Sequence, residues 1–401
     1  MKKVYLDYAA STPADPRVIK AMLPYFFNEP GNSMSLHGFG RIANDAVEKA
    51  RFQVASLIKA QPEEIVFTGS ATESNNLALK GIAEANQKKG KHIIISSIEH
   101  DCVMESALWL EKKGFKITKL KVNKYGLIDL KQLERAIKKD TILVSIIHAS
   151  NEIGTIQSIR EIGRICKEKD VYFHTDAAQS LGKLPIDVNK MNIDLLTGSS
   201  HKMYGPKGVA CLFVRRGVNI NPILHGGGHE SGLRSSTLNV PAIVGFGLAC
   251  SIALKKMGIE SEKQIKLRDK LIKGVLKIKG SYLNGHPSQR LPNNANFRFD
   301  FIEGEALLIH LDSEGICGST GSACSTKSLK PSHVLMALGL KPVQCHGSLR
   351  LTLSKYNTPE EVDLVLEKLP PIICNLRKIS PLSEKTMDEF KDEEACEDYN
   401  H

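Results

Sequence analysis

The 401-residue sequence predicts an α/β fold built on a largely parallel sheet, with a smaller α+β unit following it. Three observations carry that expectation. Apolar, β-branched runs alternate with helix-patterned segments over more than half of the chain, the signature of a sheet covered on both faces. After about Pro241 the pattern changes to one long helical stretch followed by short strands. The composition, 42% hydrophobic and 24% charged, is that of a folded chain with a substantial core.

The elements follow in order. EEIVFTG reads as a strand leading into a helix from Glu73, and HIIISSIEH as a strand leading into a helix through Trp109. ITKLKV, TILVSIIHAS, VYFHTDAA, DLLTGSSHK and GVACLFVRR complete a mostly parallel sheet of seven strands. Ligands of such sheets sit beyond the carboxyl ends of the strands. Thr72, His100, Asn151, Asp176 and Lys202 each fall at or just after such an end, so one pocket would collect them. The stretch AIVGFGLACSIALKKMGIESEKQIKLRDKLIKGVLKIK is expected to be helical, with short strands near ANFRFDF and SLRLTLS. The expected division is a large domain over residues 15–255 and a smaller one from 1–14 with 256–382. An acidic tail over 383–401 is expected to be disordered.

Composition also excludes function classes. The longest apolar runs noted, HIIISSI and TILVSIIHA, fall short of the roughly 18 residues of a membrane span, so no membrane association is expected. Net charge is +10, and the tail from Ser383 holds eight acidic and two basic side chains, leaving about +16 on the body. Those basic residues are spread along segments such as KLRDKLIKGVLKIK, with no aromatic stacking platform beside them, so direct nucleic-acid binding is not expected. Nine cysteines, an odd count without a CxxC pair, read as reduced thiols, and MKKVYLDYAASTP reaches Asp7 and Pro13 before any apolar signal core. The expected compartment is the cytoplasm.

Three segments carry chemistry. In VFTGSATESNN a strand passes through Gly69, Ser70, Ala71 and Thr72 into a helix; free N–H groups and a hydroxyl there suit a phosphate, although an ordinary capped helix start reads the same way. The GK[ST] of a Walker loop is absent. HTDAAQSLGK sets Asp176 and Gln179 after an apolar run, where a carboxylate needs a partner such as a protonated ring nitrogen, or else caps the next helix. LLTGSSHKMYGPKG offers Lys202 as an amine nucleophile, with Lys207 as its rival and a plain surface lysine as the alternative for either. With His100 placed to lie over a ring, these are the parts that hold pyridoxal phosphate.

GSATESNN, SIEHDCV, NEIGTIQ, HTDAAQSLGK, GSSHKMYGPKG, GLRSSTLN and GSTGSACSTKS, in that order, closely resemble the cysteine desulfurases of the NifS/IscS type. These are pyridoxal-phosphate enzymes of fold type I, and the likeness runs from LDYAASTP to SLRLTLS. The resemblance implies conversion of L-cysteine to L-alanine with a persulfide on Cys324, feeding iron–sulfur cluster assembly and tRNA thiolation. A selenocysteine lyase or a class-V aminotransferase is the alternative. It further implies that Lys202 holds the cofactor as a Schiff base, Asp176 pairs with its ring nitrogen, Gln179 bonds the ring oxygen, and His100 stacks on the ring and shuttles protons. Thr72, Ser199 and His201 would bind the phosphate, and Ala71 and Asn151 would also contact the cofactor. Thr237 would arrive from a second subunit, hence a homodimer. Asn151 and Arg350 would position the substrate, the arginine by a bidentate pair with its carboxylate. No resident metal is implied, although Cys324 would serve as a transient cluster ligand toward an iron–sulfur scaffold partner of the IscU/NifU kind. The Gly- and Ser-rich loop around Cys324 is expected to be mobile. The other eight cysteines are expected to be incidental. Ser33, His229 and Ser236 stand where the family commonly has other residues, and are expected to modulate the pocket edge and the dimer contact.

Overall fold

The computed structural model describes residues 3–320 and 331–381. Cys324 and the acidic tail therefore lie outside the described residues. Strand β1 (Val4–Tyr5) opens the chain. The central sheet follows with β2 (Ile65–Thr68), β3 (His92–Ser96), β4 (Lys116–Leu120), β5 (Thr141–Ser145), β6 (Tyr172–Asp176), β7 (Leu195–Ser199) and β8 (Ala210–Val214), ordered β2-β8-β7-β6-β5-β3-β4. These are the seven runs expected from sequence. β7, β6, β5, β3 and β4 run parallel to one another, and β8 runs antiparallel to both β2 and β7. The carboxyl ends of β2, β3, β5, β6 and β7 thus share one edge of the sheet, which is the edge that builds the site.

Burial explains the sequence pattern. β2, β3, β5, β7 and β8 are buried at every position because helices cover both faces, so their sequences stay apolar instead of alternating. β4 is the exception: it is an edge strand, and Lys116 and Lys119 are exposed along it, which discourages pairing with another chain. Period-two geometry sends Ile94 to one face and Ile93 with Ile95 to the other. On the first face Ile94 and Phe173 meet the helix Gly38–Ile58 through Val47 and Val54, and the helix Val240–Val275 through Ile243, Phe246 and Cys250. On the second, Ile93 and Leu143 meet Leu77, Val103 and Leu110. Each such side chain contributes about 1.5–3 kcal/mol by leaving water.

A second core joins the chain's two ends. Strands β9 (Ser281–Leu283), β10 (Asn294–Phe299) and β12 (Ser348–Thr352) form an antiparallel sheet ordered β12-β10-β9, while β1 pairs in parallel with β11 (Ile316–Cys317). Val4 and Leu6 are buried there with Phe297, Leu307, Leu351 and Val365.

Val240–Val275 is one uninterrupted helix of 36 residues, started by the Asn239 side chain accepting from the N–H of Ala242 and by Pro241 in its first turn. Its residues up to Ala253 pack in the first core and those from Leu267 in the second, so position 255/256 falls inside it. The sequence expectation about apolar length needs correction here. This helix is long and apolar enough, by composition alone, to cross a membrane. The AIVGFGLACSIAL stretch is apolar because Ile243, Phe246 and Cys250 fill the first core.

Candidate active site

One cleft of about 580 Å³ opens at the carboxyl edge of the sheet and is lined by Ala71, Thr72, His100, Asn151, Asp176, Gln179, Ser199, His201, Lys202 and Arg350. Those ten are the site residues expected from sequence, apart from Thr237 and Cys324. Thr237 is exposed and does not line this cleft of its own chain. Cys324 lies outside the described residues, but the chain on its far side, from Pro331 to Val334, lines the cleft.

The Lys202 side chain is held by the N-terminal segment. Its Nζ donates to the carbonyls of Ala9 at 2.5 Å and Ala10 at 2.7 Å. Thr12 clasps the same turn, its Oγ1 accepting from the Tyr204 N–H at 2.7 Å and donating to the His201 carbonyl at 2.9 Å. A side chain at Gly205 would put its Cβ 2.1 Å from Ser200 Oγ, so the turn after Lys202 packs closely against that hydroxyl and would accept a larger residue only if the serine side chain turned away. The rival Lys207 is exposed and outside the cleft. Beneath the turn, the buried Lys183 donates to the carbonyls of Gln179 and Lys202, both at 2.9 Å. Burial, with Lys202 beside it, pushes the Lys183 ammonium down to about 7. The same two influences, with Lys207 and Lys183 added, push His201 down to about 4.

Asp176 ends β6 and is almost wholly buried. Its Oδ1 accepts from the Ala178 N–H at 2.9 Å and its Oδ2 from Asn75 Nδ2 at 2.7 Å. Gln179 donates its amide to the Ala9 carbonyl at 2.9 Å. His100 caps the helix Asp101–Lys112, its Nδ1 accepting from the Cys102 N–H at 3.2 Å. Across the cleft, β12 supplies Arg350, whose Nη2 donates to Asp7 at 3.0 Å and Nη1 to the Asn151 carbonyl at 3.1 Å. Its Nε is buried without a partner.

Further lining or supporting groups were not expected from sequence, and four of them bear on the chemistry. Glu99 is fully buried, with Oε1 accepting from Ser96 Oγ at 2.6 Å and the Ile147 N–H at 2.8 Å, and burial pushes its carboxyl up to about 8. Glu152 accepts from Ser332 Oγ at 2.6 Å, and burial raises it to about 6. Cys102, expected to be incidental, lines the cleft 3.1 Å from His100 Nδ1. Asn75 lies behind it. Only burial distinguishes these residues, Asn75 and Cys102 on helices and Glu99 and Glu152 in connecting turns, and a local motif does not reveal it. Ser33 and His229 line a different cleft, beside the buried Arg51–Glu230 pair, rather than the edge of this one.

The residues suit a phosphorylated pyridine aldehyde. Thr72, Ser199 and His201 offer polar donors beside the first N–H groups of the helix from Ala71, which have no acceptor within that helix. An anchored carboxylate, an amine and an unpartnered guanidinium N–H complete a donor set for phosphate, ring nitrogen, aldehyde and a carboxylate substrate.

Comparison with known proteins places the chain in a family. The aminotransferase class-V family model matches residues 4–365. Cysteine desulfurase IscS 1 of Archaeoglobus fulgidus is 54% identical over 378 residues, covering 94% of this chain and 99% of that protein. Among solved structures, a NifS-like protein superposes with a TM-score of 0.88 at 40% identity, covering 94% of this chain and 100% of its own. The structure of SspA in complex with cysteine gives 0.79 at 39% identity, covering 89% of this chain and 100% of that one.

Proposed function

We propose, from the premise that this chain belongs to the cysteine desulfurases of the class-V aminotransferase family, that its cleft binds pyridoxal phosphate and L-cysteine and delivers the substrate sulfur to Cys324. The observation that carries this reading is the convergence of ten separately placed residues on one cleft. Bound pyridoxal phosphate supplies an aldehyde for an amine and a ring that draws electrons from the substrate's α-carbon.

The chain's own groups do the rest. Lys202 presents its amine at the turn that Thr12 clasps. Asp176, held by two donors, gives a protonated ring nitrogen a fixed negative partner. His100, which lines the cleft, is the group that shuttles protons. Arg350 takes the substrate carboxylate with the fork that now spans Asp7 and the Asn151 carbonyl. The Cys324 thiolate attacks the substrate sulfur: an S–S bond forms, the C–S bond breaks with its electron pair left on carbon, and protonation there gives alanine and a persulfide on Cys324.

Two further parts of the reading have support. Exposed Phe26, Phe27, Leu36, Phe39 and Phe52 lie on the N-terminal helices and their connection, which supports a homodimer in which Thr237 enters the partner's cleft. The seven described cysteines are all free, which supports a reducing, cytoplasmic compartment. The proposed sulfur acceptor is an iron–sulfur scaffold protein. Purified protein with cofactor and a thiol reductant is expected to release alanine and sulfide from L-cysteine, and Cys324→Ala to release neither. A cofactor-loaded wild type that releases no sulfide overturns the reading in favour of a related enzyme of the family.

A further inference from the structure

Building on the desulfurase reading, we propose that Asn75 and Cys102 are positioning residues that join Asp176 to His100 through one hydrogen-bond chain and fix which ring nitrogen of His100 carries the proton. Asn75 comes from the helix Ala71–Asn76 and Cys102 from the first turn of the helix Asp101–Lys112; both helices start at the carboxyl edge of the sheet and pack together. Asn75 is fully buried. Its Nδ2 lies 2.7 Å from Asp176 Oδ2 and 3.1 Å from Cys102 Sγ.

The donors can be assigned from these contacts. An ionised carboxylate only accepts, so the amide end facing Asp176 is the nitrogen, and that fixes the orientation of Asn75. The same nitrogen donates to Cys102 Sγ. Cys102 thus has its S–H left to donate, and the acceptor at 3.1 Å is His100 Nδ1. The backbone N–H of Cys102 reaches that nitrogen too, at 3.2 Å. Two donors on Nδ1 make it the acceptor, which places the ring proton on Nε2. A residue that moves protons works only in the correct tautomer, and here a thiol beside the ring selects it. An alanine at 102 keeps the backbone donor and loses the side-chain donor, whereas a serine keeps the backbone donor and puts a hydroxyl where the thiol was.

The test reads the tautomer directly and needs no turnover. In cofactor-free protein carrying 15N-histidine, with the His100 signals identified by their loss in His100→Gln, wild type and Cys102→Ser are expected to show Nε2-protonated His100. Cys102→Ala is expected to show a mixture of tautomers. In the loaded enzyme, Cys102→Ala is expected to lower kcat for L-cysteine about fivefold with KM within about twofold, and Cys102→Ser to restore it. A proton on Nδ1 in wild type, or a Cys102→Ala variant with the wild-type tautomer or the wild-type kcat, overturns the proposal. A wild type that forms no alanine refutes the desulfurase reading instead, and leaves the tautomer measurement standing by itself.

Discussion

Replacing Glu99 with glutamine is expected to make the protein more stable in alkali and to leave it almost unchanged in acid. The carboxyl is fully buried, its Oε2 has no partner, and burial, reinforced by Asp176, raises it from 4.5 to about 8. Between those pH values the unfolded chain releases a proton that the folded chain keeps, so stability falls as pH rises through that window and levels off above about 8. The loss accumulated across it is on the order of 4 kcal/mol. Glutamine has no proton to lose, and its carbonyl oxygen can still accept from Ser96 and Ile147. Urea denaturation of cofactor-free wild type and Glu99→Gln at pH 5 and pH 9 measures this. The expected difference is within about 1 kcal/mol at pH 5 and up to about 4 kcal/mol in favour of the variant at pH 9. An equal difference at both pH values would refute the argument. The substitution leaves Asp176 and its two donors in place, so the variant should still bind cofactor.

The remaining predictions concern two arginines. Arg350→Lys keeps the charge and loses the fork, so KM for L-cysteine is expected to rise about 10- to 100-fold while kcat changes less, measured by alanine formation; an unchanged KM would place the substrate carboxylate elsewhere. Glu230→Ala strips Arg51 of two bonds, at 2.7 and 2.8 Å, and the Phe67 N–H of its acceptor at 2.6 Å. It is expected to cost about 3–5 kcal/mol in denaturant unfolding, and a loss below 1 kcal/mol would contradict the assignment of this buried pair.

How far the sequence could be read depended on where the deciding information sits. The seven strands announced themselves because a strand covered on both faces must be apolar along its length, and five site residues followed from the rule that such sheets work at their carboxyl edge. The resemblance added Arg350, which β12 carries in from the second core. Glu99, Cys102 and Asn75 escaped notice for a different reason. In SSIEHDCV and ATESNN nothing local says that Glu99 points inward without a counter-charge, or that Asn75 reaches a residue a hundred positions away. The helix Val240–Val275 misled the assessment of apolar length because a core helix and a membrane span share a composition, and only its packing partners tell them apart.

That same helix bears on how the enzyme can move. At about 1.5 Å per residue it is a rod about 54 Å long, anchored near its start under the central sheet and near its end under the small one. Asp176 and Lys202 belong to the first anchor, Arg350 to the second. Any hinge that swung the arginine away from the lysine would have to bend this rod or pull Phe246 or Leu271 from its packing. The two halves of the cleft are thereby tied to opposite ends of one helix, so a displacement of either half is felt along it by the other.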